Sequence, residues 1–163
     1  MAYEAAHHAF SEIYSSDLRR ARDTAEVLAQ RVGLTVKTLA ALRERHYGIF
    51  EGIIKDEAGL RYPAANVLYL ARDPHYDFEG GESLLNFTQR VLAAFDSLRK
   101  HHMGQCIAVV CHAGVLDVLY RHATDRPLET ERDFIIPNCA LNWFSHDGAR
   151  WHVNHWHDHH HLK

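Results

Sequence analysis

The chain has 163 residues, 47% hydrophobic and 24% charged, with a formal net charge of −3. That composition is globular and the length suffices to bury about 70% of the unfolded surface, while the mild negative charge argues against nucleic acid or an anionic membrane as partner. Three cysteines (Cys106, Cys111, Cys139) give neither a disulfide framework nor a C-x-x-C pair, no apolar run nears the ~20 residues of a membrane span, and no signal peptide, repeat or low-complexity linker is seen, so the expectation is one cytoplasmic domain over residues 1–163.

Met1–His8 has helical composition but neither a cap nor a preceding strand. Phe10–Ser15 reads as a strand, and Ser15-Ser16-Asp17 as the N-cap cluster of a helix running to about Val32. Leu18, Ala21, Ala25, Leu28 and Val32 form its apolar stripe, and Gly33 stops it. Leu34–Leu39 predicts a short strand, and Leu42–Gly52 a loop. Ile53–Arg72 is mostly helical with a break at Pro63, and Asp73–Phe78 is loop. Gly80-Gly81-Glu82-Ser83 opens a second strong helix with Ser83 as N-cap and a stripe through Leu84, Phe87, Val91, Ala94, Phe95 and Leu98. The β-branched run Ile107–Val110 predicts a strand buried on both faces, followed by a helix to about His122. An irregular acidic loop leads to two strands, Cys139–Phe144 and Trp151–Trp156, with Asp147-Gly148 as a two-residue hairpin signal. Strands alternating with helices indicate a three-layer α/β fold with a largely parallel sheet.

His112 stands where the Ile107–Val110 strand turns into a helix, the end at which open α/β sheets bind ligands. By default a lone histidine there is a capped or core residue. Arg19, Arg20 and Arg22 crowd another strand-to-helix turn, although helix N-termini favour anions, so a bound anion is expected among them. Arg19 and Arg22 suit a solvated face and Arg20 suits a site. Glu44 sits in a loop beside Arg45, His46 and Tyr47, where a carboxylate is by default a surface charge. The tail holds His152, His155, His157, His159, His160 and His161, a tract that takes up transition metals adventitiously. Its spacing matches no dedicated metal site, so no cofactor metal is expected.

In order, Tyr14–Ala21, Leu42–Gly48 with Glu51-Gly52, Gly80–Ser83, Val109–Gly114 and Asn138–Ala140 resemble the histidine phosphatase superfamily, also called phosphoglycerate-mutase-like. The resemblance covers essentially the whole chain and implies an α/β/α sandwich around a largely parallel sheet. It implies that His112 bonds the transferred phosphoryl oxygens, that Arg20 clamps the phosphate, and that Glu44 gives a proton to the leaving alcohol and later serves as base for water. Arg45 and Tyr47 match substrate-contacting positions of the mutase branch, and Ala113 and Asn138 join them as substrate-binding candidates.

The family's first strand ends in Arg-His-Gly, whose histidine is the nucleophile. Here the only Arg-His pairs are Arg45-His46 and Arg121-His122, neither followed by glycine nor at the family's position. The resemblance therefore implies that a strand, loop and most of a helix, about 30 residues, lie outside this sequence. Unpaired strand edges and exposed apolar helix faces should follow. The short segment between Gly52 and Gly80 offers only Lys55, Arg61 and Arg72 as cations, which favours a phosphatase of small phosphorylated metabolites over a phosphoglycerate mutase. An inactive phosphate-ester-binding or interaction module is the alternative of another class. The expected partner is a small phosphorylated substrate, without cofactor, and a homodimer is the assembly to test.

Overall fold

The computed structural model describes residues 9–160, so the helical reading of Met1–His8 lies outside the described residues. The elements are β1 (Glu12–Ser15), α1 (Arg19–Val32), β2 (Val36–Thr38), α2 (Lys55–Arg61), α3 (Pro63–Leu70), α4 (Leu84–His101), β3 (Ile107–Val110), α5 (Ala113–Ala123), β4 (Leu141–His146) and β5 (Trp151–Asp158). Single 3-10 turns at Ala40–Leu42 and Gly48–Phe50 shape the loop after β2.

β1 lies between β2 and β3 in an all-parallel sheet, pairing Ile13 with Val36 on one side and with Ala108 on the other. Side chains alternate across the pleat, and the two faces bury different helices. Ile13, Ala108 and Val110 pack against Ala25, Leu28 and Ala29 of α1. Tyr14 and Val109 face a larger core of Leu84, Phe87, Val91 and Phe95 from α4 with Val115, Val118 and Leu119 from α5. That alternation gives the α/β/α layering expected from the sequence.

Local chemistry sets most element ends. Gly33 caps α1 at φ 72°, and the Ser83 hydroxyl accepts the Asn86 N–H at the start of α4. Pro63 occupies the first position of α3 and so divides the Ile53–Arg72 stretch into two helices. The Ser15-Ser16-Asp17 cluster does not cap α1. Leu18 is its N-cap without a side-chain bond, because Ser16 accepts the Leu18 N–H and Asp17 is held by Arg43. The hairpin loop has four residues, not two: Asp147 accepts the N–H groups of Ala149 and Arg150, and pairing resumes at His146 and Trp151.

The sheet also departs from one continuous ribbon. β4 and β5 form a separate antiparallel pair, and among the described residues no strand joins β4 to β3. β3 is consequently a sheet edge, and its four residues are half-buried, not buried on both faces. Between β3 and β4 runs a cavity of about 1090 Å³, lined on its apolar flanks by Leu28, Phe95, Leu98, Ile107 and Leu141. The unpaired edge expected from the sequence borders this slot, but the expected bare helix faces are not found there: Leu28, Phe95 and Leu98 are buried in the core.

Candidate active site

The cavity ends at the carboxyl end of β3, where Arg20, Glu44, His112, Ala113 and Asn138 all contribute to its wall. Five of the seven candidate residues thus meet from four separate segments of the chain. His112 leaves β3 in extended conformation, φ −125° and ψ 164°, and becomes the N-cap of α5. It is 8% exposed, and its Nε2 is buried without a hydrogen-bond partner. A buried ring nitrogen is costly to leave unbonded, so Nε2 is open to a bond from a ligand atom or a water. Burial pushes the His112 pKa down, the Arg20 charge pushes it further down, and Glu44 opposes both. The imidazole therefore favours its neutral form more than a free histidine does.

Glu44 is placed by backbone. Its Oε1 accepts the Arg45 N–H at 2.9 Å and its Oε2 accepts the Gly114 N–H at 3.0 Å. The second bond seats the carboxylate on the positive end of α5, beside His112. Arg20, in the first turn of α1, is exposed at the cavity wall. Cys111, next to His112, is no rival nucleophile: its thiol is pushed up to about 12, chiefly by burial.

Arg45 and Tyr47 lie apart from this wall. Arg45 is 8% exposed, donates from Nε to the Glu82 carbonyl and from Nη2 to the Tyr76 carbonyl, and lies 4.7 Å from the Phe78 ring centre. Tyr47 borders a smaller hollow of about 200 Å³ with Phe50, Ile53 and Tyr69. Its phenol is pushed up to about 12 by burial first and by Glu44 second.

Three further residues shape the site and were not among the candidates. A Cβ on Gly114 would fall 2.1 Å from Glu44 Oε1, so only glycine lets the carboxylate reach the helix N-terminus. Its place directly after Ala113 in a strand-to-helix turn was the available signal. Arg90 of α4 grips both carboxylate oxygens of Glu82, at 2.8 and 2.7 Å, and donates to the carbonyls of Ala41 and Arg43. It thereby fastens the loop that carries Glu44, a role that helical periodicity does not reveal. Gly81 adds a close backbone approach, since its Cβ would meet Gly48 N and His46 O at 2.6 Å. Among the described residues no three His, Cys, Asp or Glu side chains gather as a metal site, and His161 lies outside them.

The family model for the histidine phosphatase superfamily (branch 1) matches residues 1–159. Phosphoglycerate mutase-like protein 4 of Arabidopsis thaliana is 36% identical over 156 residues, which is 94% of this chain and 66% of that protein. A metal-independent phosphoserine phosphatase of the same plant is 30% identical over 152 residues, covering 92% of this chain and 62% of its own length. The chain thus spans roughly two thirds of these curated relatives. Among solved structures, Bacillus stearothermophilus YhfR superposes with a TM-score of 0.89 at 26% identity, covering 99% of this chain and 81% of that one. A mycobacterial glucosyl-3-phosphoglycerate phosphatase in complex with VO3 gives a TM-score of 0.81 at 25% identity, covering 97% and 81%. The site at the end of β3 and the match along the whole chain agree, and the chain belongs to the histidine phosphatase superfamily.

Proposed function

We propose that this chain supplies the phosphate-binding and proton-transfer side of a metal-free phosphomonoesterase whose nucleophilic histidine comes from outside this sequence. The observation that carries the reading is the unpartnered, buried Nε2 of His112 on the same cavity wall as Arg20 and Glu44. Arg20 and His112 hold the phosphoryl oxygens, whose charge is spread over three equatorial positions in the transition state. The nucleophile's nitrogen bonds to phosphorus as the ester P–O bond breaks, and Glu44 passes its proton to the leaving alkoxide. Water then attacks the phosphohistidine, Glu44 takes the water's proton, and the P–N bond breaks to release phosphate. The slot beside β3 has the place and the apolar flanks for the strand that would bring the nucleophile. The similarity to a phosphoserine phosphatase and a glucosyl-3-phosphoglycerate phosphatase supports small phosphorylated substrates. Arg45, with its donors on backbone carbonyls, favours hydrolysis over the mutase alternative.

The test is vanadate titration in EDTA by calorimetry, for the 163-residue chain and its Arg20→Ala and His112→Ala variants. Binding that each substitution weakens, by about ten- to a hundredfold for one charged hydrogen bond, is the expected result. A chain prolonged upstream by a strand ending in Arg-His-Gly should then hydrolyse p-nitrophenyl phosphate in EDTA. Vanadate binding without turnover in that prolonged chain would leave the non-catalytic binder as the answer; no vanadate binding would refute the phosphate site.

A further inference from the structure

Asp17 stands three residues before Arg20, and Arg43 stands directly before Glu44. Their side chains form a two-point ion pair: Arg43 donates from Nε to Asp17 Oδ1 at 2.7 Å and from Nη2 to Asp17 Oδ2 at 2.5 Å. Backbone pairing between the two segments ends at the rim of the sheet, where the Leu39 N–H meets the Ser15 carbonyl. Beyond that rim, among the described residues, no other hydrogen bond joins residues 16–24 to residues 40–46. The pair thus links the helix start that carries Arg20 to the loop that carries Glu44.

The start of α1 has little else to fix it. Its N-cap, Leu18, makes no side-chain cap bond, and Arg20 follows in the exposed first turn. Helix ends fray where their first N–H groups lack partners. The Glu44 loop is tied on its other sides: Arg90 holds the Ala41 and Arg43 carbonyls from α4, and the Gly114 N–H holds the carboxylate from α5. Through the Arg43 side chain that anchored loop reaches α1. The partners are 52% and 29% exposed, and an ion pair in that setting contributes little to stability. What the planar guanidinium fork does supply is a fixed distance and orientation. Arg43 also holds the Asp17 carboxyl below its usual range, so both partners stay charged across the working pH range.

We propose that the Asp17–Arg43 pair is a positioning clasp that sets Arg20 against Glu44 across the site at His112. The clasp rests on the phosphate-ester reading above for the roles of Arg20 and Glu44. It goes beyond that reading, because neither Asp17 nor Arg43 lines the cavity or touches the reacting groups. A phosphoryl group must meet the arginine and the proton donor together, and a misplacement of about 1 Å is felt in such a site. Opening the clasp lets Arg20 swing out, while Glu44 stays on its two backbone N–H groups. The consequence is opposite in sign to a plain charge effect. Removing the Asp17 carboxylate leaves Arg43 unneutralised, and by charge alone that lowers the His112 pKa and tightens anion binding. Displacing Arg20 does the reverse, because the Arg20 charge pushes the His112 pKa down.

The experiment compares the 163-residue chain with Asp17→Ala, with Arg43→Lys and, as control, with Asp23→Ala, which breaks the exposed Arg19–Asp23 pair on α1. His112 is titrated by NMR, vanadate binding is measured by calorimetry in EDTA, and the melting temperature is recorded. Asp17→Ala should raise the His112 pKa and weaken vanadate binding by about three- to tenfold, with the melting temperature almost unchanged. Arg43→Lys keeps the charge without the fork and should move both readings the same way by less. Asp23→Ala should produce neither change. A His112 pKa that falls or stays in Asp17→Ala overturns the inference, and so does a vanadate affinity that stays or rises. It is equally overturned by an Arg43→Lys chain identical to the parent, by the same changes in Asp23→Ala, or by weaker binding matched by a large fall in melting temperature. If the parent chain binds no vanadate, the phosphate-ester reading fails, while the His112 titration still decides whether the clasp places Arg20.

Discussion

Gly114→Ala is the sharpest probe of how Glu44 is held. The added methyl would sit 2.1 Å from Glu44 Oε1, 3.0 Å from Glu44 Cδ and 3.2 Å from Phe87 Cε1. Phe87 is 2% exposed in the core, so the carboxylate must move, and its bond to the Gly114 N–H is lost. That charge-assisted bond contributes about 1.5–3 kcal/mol, while alanine at a helical position returns at most about 1 kcal/mol. The expected net loss is about 0.5–3 kcal/mol, read as a lower urea midpoint at unchanged slope. Gly59, in α2, is the control: its Cβ would meet only the flexible Asn66 amide at 3.2 Å, so Gly59→Ala should be neutral or stabilising by up to about 1 kcal/mol. A second readout needs no catalysis. Glu44 raises the His112 pKa, so moving the carboxylate away should lower it further in a pH titration of the ring by NMR. A Gly114→Ala protein as stable as the parent, with His112 titrating unchanged, would refute the placement of Glu44 on the helix N-terminus.

Arg20→Ala should raise the His112 pKa, since the Arg20 charge lowers it, and Glu44→Gln should lower it, with the same NMR titration as the check. Because the folded His112 pKa lies below the ordinary value near 6.5, the unfolded chain binds the proton more readily. Stability should therefore fall as pH drops from about 6.5 towards the folded value, and His112→Gln should remove that part of the slope in urea melts at stepped pH. Asp117→Ala leaves three guanidiniums without their buried carboxylate and should cost about 3–5 kcal/mol in the same melts. A loss under about 1 kcal/mol would mean that solvent already screens the cluster.

Elements with a strong local signature were legible in the sequence. The apolar stripe of α1 with Gly33 after it, the Ser83 cap of α4 and the Pro63 break each rest on interactions within a few residues. Arg20, Glu44 and His112 were legible because their motifs come in a fixed order along the chain, and the fold brings all three to one cavity wall. What escaped depends on distant partners. Arg45 reads as a substrate arginine in sequence, and nothing there shows that the carbonyls of Glu82 and Tyr76, 37 and 31 residues downstream, take its Nε and Nη2 donors. Gly114 reads as a helix residue of low propensity until Glu44, 70 residues earlier, fills the space its side chain would need. Asp117, Arg121, Arg72 and Arg132 are four ordinary surface letters in sequence, and only the crossing of two loops over α5 brings them together, with Asp117 and Arg121 buried and Arg72 and Arg132 more open.

The misread burial of β3 is the most informative of these differences. Ile107–Val110 has the uniformly apolar composition of a strand with neighbours on both edges and helices on both faces. Among the described residues it has a neighbour on one edge only, β1, and all four of its residues remain half-buried. Composition therefore specifies more burial than the described residues provide, and the difference lies in the slot towards β4. At about 3.3 Å per residue, the four residues of β3 and the six of β4 bound a slot of roughly 13–20 Å, the length of one ordinary strand. A strand lying there parallel to β3 would end beside His112 and Arg20, at the carboxyl end of the sheet. The same insertion would complete the β3 edge, cover its half-buried residues and deliver a side chain to the phosphate position. Folding and chemistry thus make the same demand on one piece of polypeptide, so a peptide that restores turnover should also raise the melting temperature. Restored turnover without added stability would place the nucleophile elsewhere than in this slot.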